Sequence, residues 1–124
     1  MLSHIKGLDK VMNNLNKEIS KIKGASMEGL IEATITIEND MDRTPPLIPI
    51  RKGNLRSSFF RDPRYVKGDP TVRFGFSASY AWWVHENVGA NFRRPGAGAK
   101  FLEAALKRNQ EEILQIIRET VVKR

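Results

Sequence analysis

Apolar residues recur every three to four positions at the start of the chain: Leu8, Val11, Met12, Leu15, Ile19 and Ile22. That spacing lays one stripe along a cylinder and predicts an amphipathic helix over 5–22. Gly24 is a stop signal, and Ser26 is an N-cap with Glu28 and Glu32 in the opening turns of a second helix over 25–42. The apolar positions of that helix (Met27, Leu30, Ile31, Thr34, Ile35, Ile37, Met41) spread over a broad face, so it is expected to be central and buried. The run Ala33-Thr34-Ile35-Thr36-Ile37 is β-branched and alternates, as a strand would. The helical pattern on both sides favours helix.

"RTPPLIPIRKGN" then interrupts regular structure, because three prolines in five residues forbid a helix and favour an extended linker. A strand is expected from about Ser57, with a turn at Asp62-Pro63 and a second turn at "KGDP". Beyond it Val72, Phe74 and Phe76 alternate with Arg73, Gly75 and Ser77, the pattern of a half-buried strand. The two strands form a hairpin with one basic, solvated face. Tyr80, Trp83 and Val84 stand at helical spacing in a short helix over 79–87, and "VGANFRRPGAGAK" gives a loop over 88–99. Leu102, Ala105, Leu106, Ile113, Ile116, Ile117 and Val121 predict one long helix over 100–122. With the basic linker and strands occupying 43–79, the expectation is one α+β domain over 1–124. A small antiparallel β-sheet is packed by an N-terminal helical pair and a long C-terminal helix.

The 124 residues, 40% hydrophobic and 28% charged, suffice for a core without metals or disulfides. There is no cysteine, which removes thiol catalysis and thiolate metal sites and fits an intracellular protein. No apolar run is long enough to span a bilayer, and the first residues show no export signal. No membrane partner is expected.

Charge adds a direction. The chain carries 21 Lys and Arg against 14 Asp and Glu, a net +7, and such a surface attracts polyanions. The excess is concentrated between Arg43 and Arg73, where eight basic residues face only Asp62 and Asp69.

The segment "SYAWWVHENVGANFRRPGAGAK" holds most of the candidate chemistry, and none of it completes a catalytic set. His85-Glu86 lacks the second histidine four residues on that a zinc helix needs; position 89 is Gly89. "RRPGAGAK" is not a phosphate loop, because Ala99 precedes Lys100 and Phe101 replaces the hydroxyl residue. Ser57, Ser58, Ser77 and Ser79 lie outside any nucleophile elbow. The carboxylates Glu28, Glu32, Glu38, Asp40, Glu111, Glu112 and Glu119 fall on helices as solvated faces. The expectation is a protein without catalytic residues, metal or cofactor. His85 is read as a packed or interface histidine. Of Trp82 and Trp83, one is expected in the core and one partly exposed, or one of them in a subunit contact.

The order of several short motifs resembles the head–tail connector and tail-completion (minor capsid, neck) proteins of tailed bacteriophages. Gly7-Leu8-Asp9-Lys10 is similar to the family's opening of its first helix, and Gly53-Asn54-Leu55-Arg56-Ser57-Ser58 to its Gly-x-Leu-Arg-x-Ser signature. Lys52 stands where the family usually has Thr. Tyr80-Ala81-Trp82-Trp83-Val84-His85-Glu86 matches a Tyr-Ala-x-x-Val-x-Glu segment, with Asn87-Val88-Gly89 in place of Gly-Thr. A Pro-containing loop and Phe101-Leu102-Glu103-Ala104-Ala105 close the set.

The resemblance implies a virion protein, assembled in the host bacterial cytoplasm. It implies a closed homo-oligomeric ring, hexameric or dodecameric, in the neck between portal-side and tail proteins, with genomic DNA passing through. Ring contacts are heterologous, so each subunit needs two complementary patches. The acidic second helix (Glu28, Glu32, Glu38, Asp40, Asp42) and the basic Arg51–Arg73 segment are candidates. Alternatively Arg51, Lys52, Arg56, Arg61, Arg64 and Arg73 face the lumen and touch phosphates without reading sequence. Trp82, Trp83, His85, Arg93 and Arg94 are candidates for touching a neighbouring subunit or ring. The competing reading is a free-standing, sequence-nonspecific nucleic-acid-binding protein using segment 51–73.

Overall fold

The computed structural model describes residues 6–49, 54–86 and 96–121. Helices α1 (Lys6–Ile19) and α2 (Met27–Arg43) form where the apolar stripes run. The Ser26 hydroxyl caps α2 by accepting the Gly29 N–H at 3.1 Å. Gly24, at φ 79°, takes the left-handed conformation that turns the chain between the helices. Helix α1 stops at Ile19 rather than residue 22, although Ile22 still packs against the core. The Ala33–Ile37 run is helical. The Thr34 and Thr36 hydroxyls donate to Ile31 O at 2.8 Å and Glu32 O at 3.1 Å, which satisfies these β-branched residues inside the helix.

The proline-rich linker is anchored rather than merely extended. Leu47 makes a parallel bridge to Ala97, donating its N–H to Gly96 O at 2.8 Å and accepting the Gly98 N–H at 3.2 Å. Ile48 is buried beside it, its N–H on Met41 O at 2.8 Å. A single helical turn, α3 (Asn54–Ser57), stands where the first strand was expected to begin, and buries Leu55.

Strands β1 (Phe59–Val66) and β2 (Asp69–Phe76) pair antiparallel, from Phe59 opposite Phe76 to Val66 opposite Asp69. The predicted turn at Asp62-Pro63 does not form; both residues run through β1. The one reversal is Lys67-Gly68, whose φ values of 52° and 87° suit a two-residue hairpin turn. Counting back from the closing pair Val66–Asp69, ladder bonds fall at Arg64, Asp62, Phe60 and Ser58, and the Ser77 N–H reaches Ser58 O at 2.9 Å. Pro63 and Pro70 fall on the alternate positions, where the missing N–H faces the open edge and no ladder bond is lost.

The predicted C-terminal helix is also corrected. It divides into α5 (Phe101–Arg108) and α6 (Gln110–Glu119) at Asn109. Asn109 is buried at φ −103°, ψ 11°, and both its N–H and its Nδ2 donate to Ala105 O, at 3.0 and 2.8 Å. The preceding short helix is α4 (Ala81–Glu86).

The result is an α+β fold, with six helices and one two-stranded antiparallel sheet among the described residues. Helix α2 is central: the hairpin packs on one side, α5 and α6 on another, and α1 lies against α5 and α6. Ile37, Met41, Phe101, Leu106, Ile113 and Ile117 are fully enclosed, each contributing roughly 1.5–3 kcal/mol by leaving water. A chain of rings links sheet to helices: Phe59 to Phe76 (5.3 Å), Phe76 to Phe101 (5.8 Å) and Phe101 to His85 (5.0 Å).

Candidate functional site

Helix α4 presents one inner and one outer face. Ala81, Val84 and His85 turn inward. The His85 ring is buried, and its Nε2 accepts the Glu103 N–H at 3.2 Å. Glu103 is the third residue of α5, so this imidazole takes the place of an N-cap side chain; Lys100, at the cap position, makes no such bond. The Lys100 N–H also donates to His85 O at 2.6 Å, which holds Lys100 at φ 61°.

With Nε2 accepting, the ring proton sits on Nδ1 and is donated to Glu86 Oε2 at 2.6 Å. Lys100 Nζ donates to the other oxygen of Glu86 at 2.6 Å. Burial pushes the His85 pKa below its ordinary value, against the pull of Glu86 and Glu103 and with the help of the Lys100 charge. Burial alone would raise the Glu86 pKa, but its bonds from Lys100 and His85 outweigh that and hold it low. The bond to Glu86 raises Lys100. Nε2 thus ties α4 to α5, while Nδ1 bonds Glu86 within α4, and Glu86 in turn holds Lys100 at the start of α5. Glu86, Lys100 and Glu103 were absent from the sequence-based candidates; Glu86 was signalled by its place beside His85, whereas Lys100 and Glu103 left no local signal.

The basic segment divides by direction. Arg61 turns inward from β1: its Nε donates to Thr34 Oγ1 at 2.9 Å, its Nη2 pairs with Glu38, and its guanidinium lies 5.4 Å from the Phe59 ring centre. Arg56 pairs with Asp42 of α2. On the outer face of the hairpin Arg64 and Arg73 flank Asp62, with Arg73 also 5.8 Å from the Phe60 ring centre. Arg108 closes the end of α2 by binding Asp40, with Nε to Oδ2 at 3.0 Å. The acidic second helix therefore meets much of its positive charge within its own chain.

Large apolar side chains exposed among the described residues include Ile35 of α2, Tyr65 and Val66 of β1, Tyr80 and Trp83. Tyr80 and Trp83 are on the outer side of α4, 43% and 56% exposed. A groove of about 300 Å³ lies between α1 and the hairpin, floored by α2 and α6. Trp82 lies in α4. Arg51, Lys52, Arg93 and Arg94 lie outside the described residues, as do residues 88–95 of the loop expected over 88–99.

Among the described residues no group of three or more His, Cys, Asp or Glu is placed to hold a metal ion, and no helix is long and apolar enough to cross a membrane. Comparison with protein-family models, curated proteins and solved structures returns no match.

Proposed function

We propose that this chain is a subunit of the neck ring of a tailed bacteriophage, joining the DNA-filled head to the tail with DNA passing through its lumen. What carries the reading is the position of the described residues of the motifs that resemble the connector family: Gly7, Leu55, Arg56, the Tyr80–Glu86 segment and Phe101-Leu102 sit at junctions of this fold. Gly7 lies against the Glu103 carboxylate, so closely that a Cβ there would overlap it. Leu55 is buried and Arg56 reaches Asp42. The Tyr80–Glu86 segment builds α4 and caps α5, and Phe101-Leu102 opens α5 in the core.

In this reading the outer face of the hairpin offers Arg64 and Arg73 to passing DNA. Asp62 between them tempers the charge, which suits contact that must let the duplex slide. The rival, a free-standing nucleic-acid-binding protein, draws on the same face but has fewer cations available, since Arg56 and Arg61 are turned to Asp42 and Glu38.

Disrupting the coding sequence in the replicating phage tests the proposal. The expected outcome in electron micrographs is DNA-filled heads and separate, complete tails; normally joined particles would overturn it. For the purified chain, native mass spectrometry with and without short duplex DNA is expected to show a closed ring without DNA. A monomer or dimer whose tight DNA binding falls steeply with salt would favour the rival.

A further inference from the structure

The carboxylates of α2 divide into two halves. Glu38, Asp40 and Asp42, in its second half, are met by Arg61, Arg108 and Arg56 of the same chain. Glu28 and Glu32, in the first half, are exposed and make no ion pair among the described residues. With Ile35, 41% exposed, and Asn39 they form one outer line at steps of four, three and four residues.

Helix α1 carries the opposite charge. Lys10, Asn14 and Lys17 are exposed on its outer side, and Lys21 continues the line just past the helix end at the same steps. Lys10 and Lys17 make no ion pair among the described residues, and Lys21 holds Glu18 at 3.1 Å in an exposed pair that is easily exchanged. Asp9 lies off this line, roughly a third of a turn around the helix.

The two lines cannot meet within one chain. Leu30, Ala33, Thr34 and Ile37 of α2 face the groove that α1 walls, and Glu28, Glu32 and Asn39 lie roughly half a turn away, on the side remote from α1. Helix α1 in turn buries Val11 and Leu15 and points its lysines outward. A subunit of a closed ring needs two such unlike, complementary faces.

We propose that the outer face of α1 in one copy lies antiparallel against the outer face of α2 in the next, as the head-to-tail contact of the ring. The inference rests on the ring reading above. In this register Lys21 meets Glu28, Lys17 meets Glu32, and Lys10 donates to Asn39. Asn14 and the lysine stems cover Ile35. The negative end of the α1 dipole falls beside the positive end of α2.

Reversing the charges tests the contact by native mass spectrometry and sedimentation. One variant carries Glu28→Lys and Glu32→Lys, the other Lys17→Glu and Lys21→Glu, all at exposed positions. Circular dichroism and melting verify that both fold. Wild-type protein is expected to assemble beyond a dimer. Each variant alone is expected to need a roughly thirty-fold or higher concentration, because like charges then face each other. An equimolar mixture, one variant isotopically labelled, is expected to regain rings in which the two alternate, since each reversed face meets the other's reversed face. A chain with all four substitutions is expected to assemble as wild type does.

Rings from either variant alone at wild-type concentration overturn the contact while leaving the ring reading intact. A mixture or fourfold variant that stays monomeric overturns it, as does a wild type that stops at a monomer or dimer. The ring reading itself is decided by the phage disruption.

Discussion

The imidazole Nε2 of His85 accepts the backbone N–H of Glu103 at 3.2 Å, so α5 is capped by a side chain from another helix. The cap works only while the ring is neutral, because a protonated imidazole has no lone pair to offer. The unfolded chain takes up this proton near pH 6.5, whereas burial lowers the value in the folded chain. Stability contributed by neutral His85 is therefore full above about pH 6.5 and declines as pH falls toward the folded value, by at most about 1.4 kcal/mol per pH unit. Glu86 adds a second decline at lower pH, below the ordinary carboxylate value, since its folded pKa is also depressed. Thermal unfolding between pH 7 and 5 is expected to show the first slope in wild type and a shallower one in His85→Gln. Equal slopes would assign the pH dependence elsewhere.

Gly29 of α2 faces Thr120. A Cβ at this position would overlap Thr120 Oγ1 and come within 3.2 Å of Thr120 Cβ and 3.4 Å of Ile117 Cα. Gly29→Ala should therefore destabilise by roughly 1–3 kcal/mol, although alanine is the better helix former by about 1 kcal/mol. Thr120→Ala removes the overlapping oxygen and is expected to recover part of the loss in the double variant. Urea titrations of the four proteins measure the coupling, and strict additivity would mean that the helices do not meet there.

Arg61 serves the fold from within the sheet. Arg61→Ala should lower stability by roughly 1–2 kcal/mol, chiefly through Thr34 and the stacked Phe59. The partly exposed pair with Glu38 contributes less, under about 1 kcal/mol. Arg61→Lys is expected to recover less than half, because an ammonium does not reproduce the fork that spans Thr34 and Glu38. Charge reversal at Arg61 acts first on the single chain, so its effect on assembly counts only beside a melting curve.

The hairpin turn offers a test free of packing effects. Lys67 and Gly68 both have positive φ, and a Cβ at Gly68 would meet nothing within 4 Å. Gly68→Ala is expected to cost about 1 kcal/mol through backbone conformation alone. Lys67→Asn, which tolerates the left-handed region better, should stabilise by a few tenths of a kcal/mol. A neutral Gly68→Ala by chemical denaturation would mean that the turn is of another type.

The helices were legible because their information is local: the stripe from Leu8 to Ile19 and the Ser26 cap are readable within a few residues of themselves. Pro63 was misread for want of register. Proline usually marks a turn, and only the distance to Lys67-Gly68 reveals that its nitrogen faces an open edge. The break in the last helix left a clue that was passed over: Asn109 is a polar residue on the apolar stripe between Leu106 and Ile113. The cap on α5 had no local trace, since its donor and acceptor are 18 positions apart. The inward turn of Arg61 was hidden for the same reason, because its partners lie 23 and 27 positions away.

The bridge from Leu47 to Ala97 makes the chain between them an excursion that departs and returns at one stitch, its two backbones about 5 Å apart. Helices α1 and α2 lie before the stitch and α5 and α6 after it, and the excursion is tied back to them by Leu55, Arg61, Phe76 and His85 but not by its hairpin tip. Residues can be gained or lost at the hairpin tip without moving those helices. Only the tip around Lys67-Gly68, where a Cβ at Gly68 meets nothing within 4 Å, is free to change its reach while the rest keeps its dimensions.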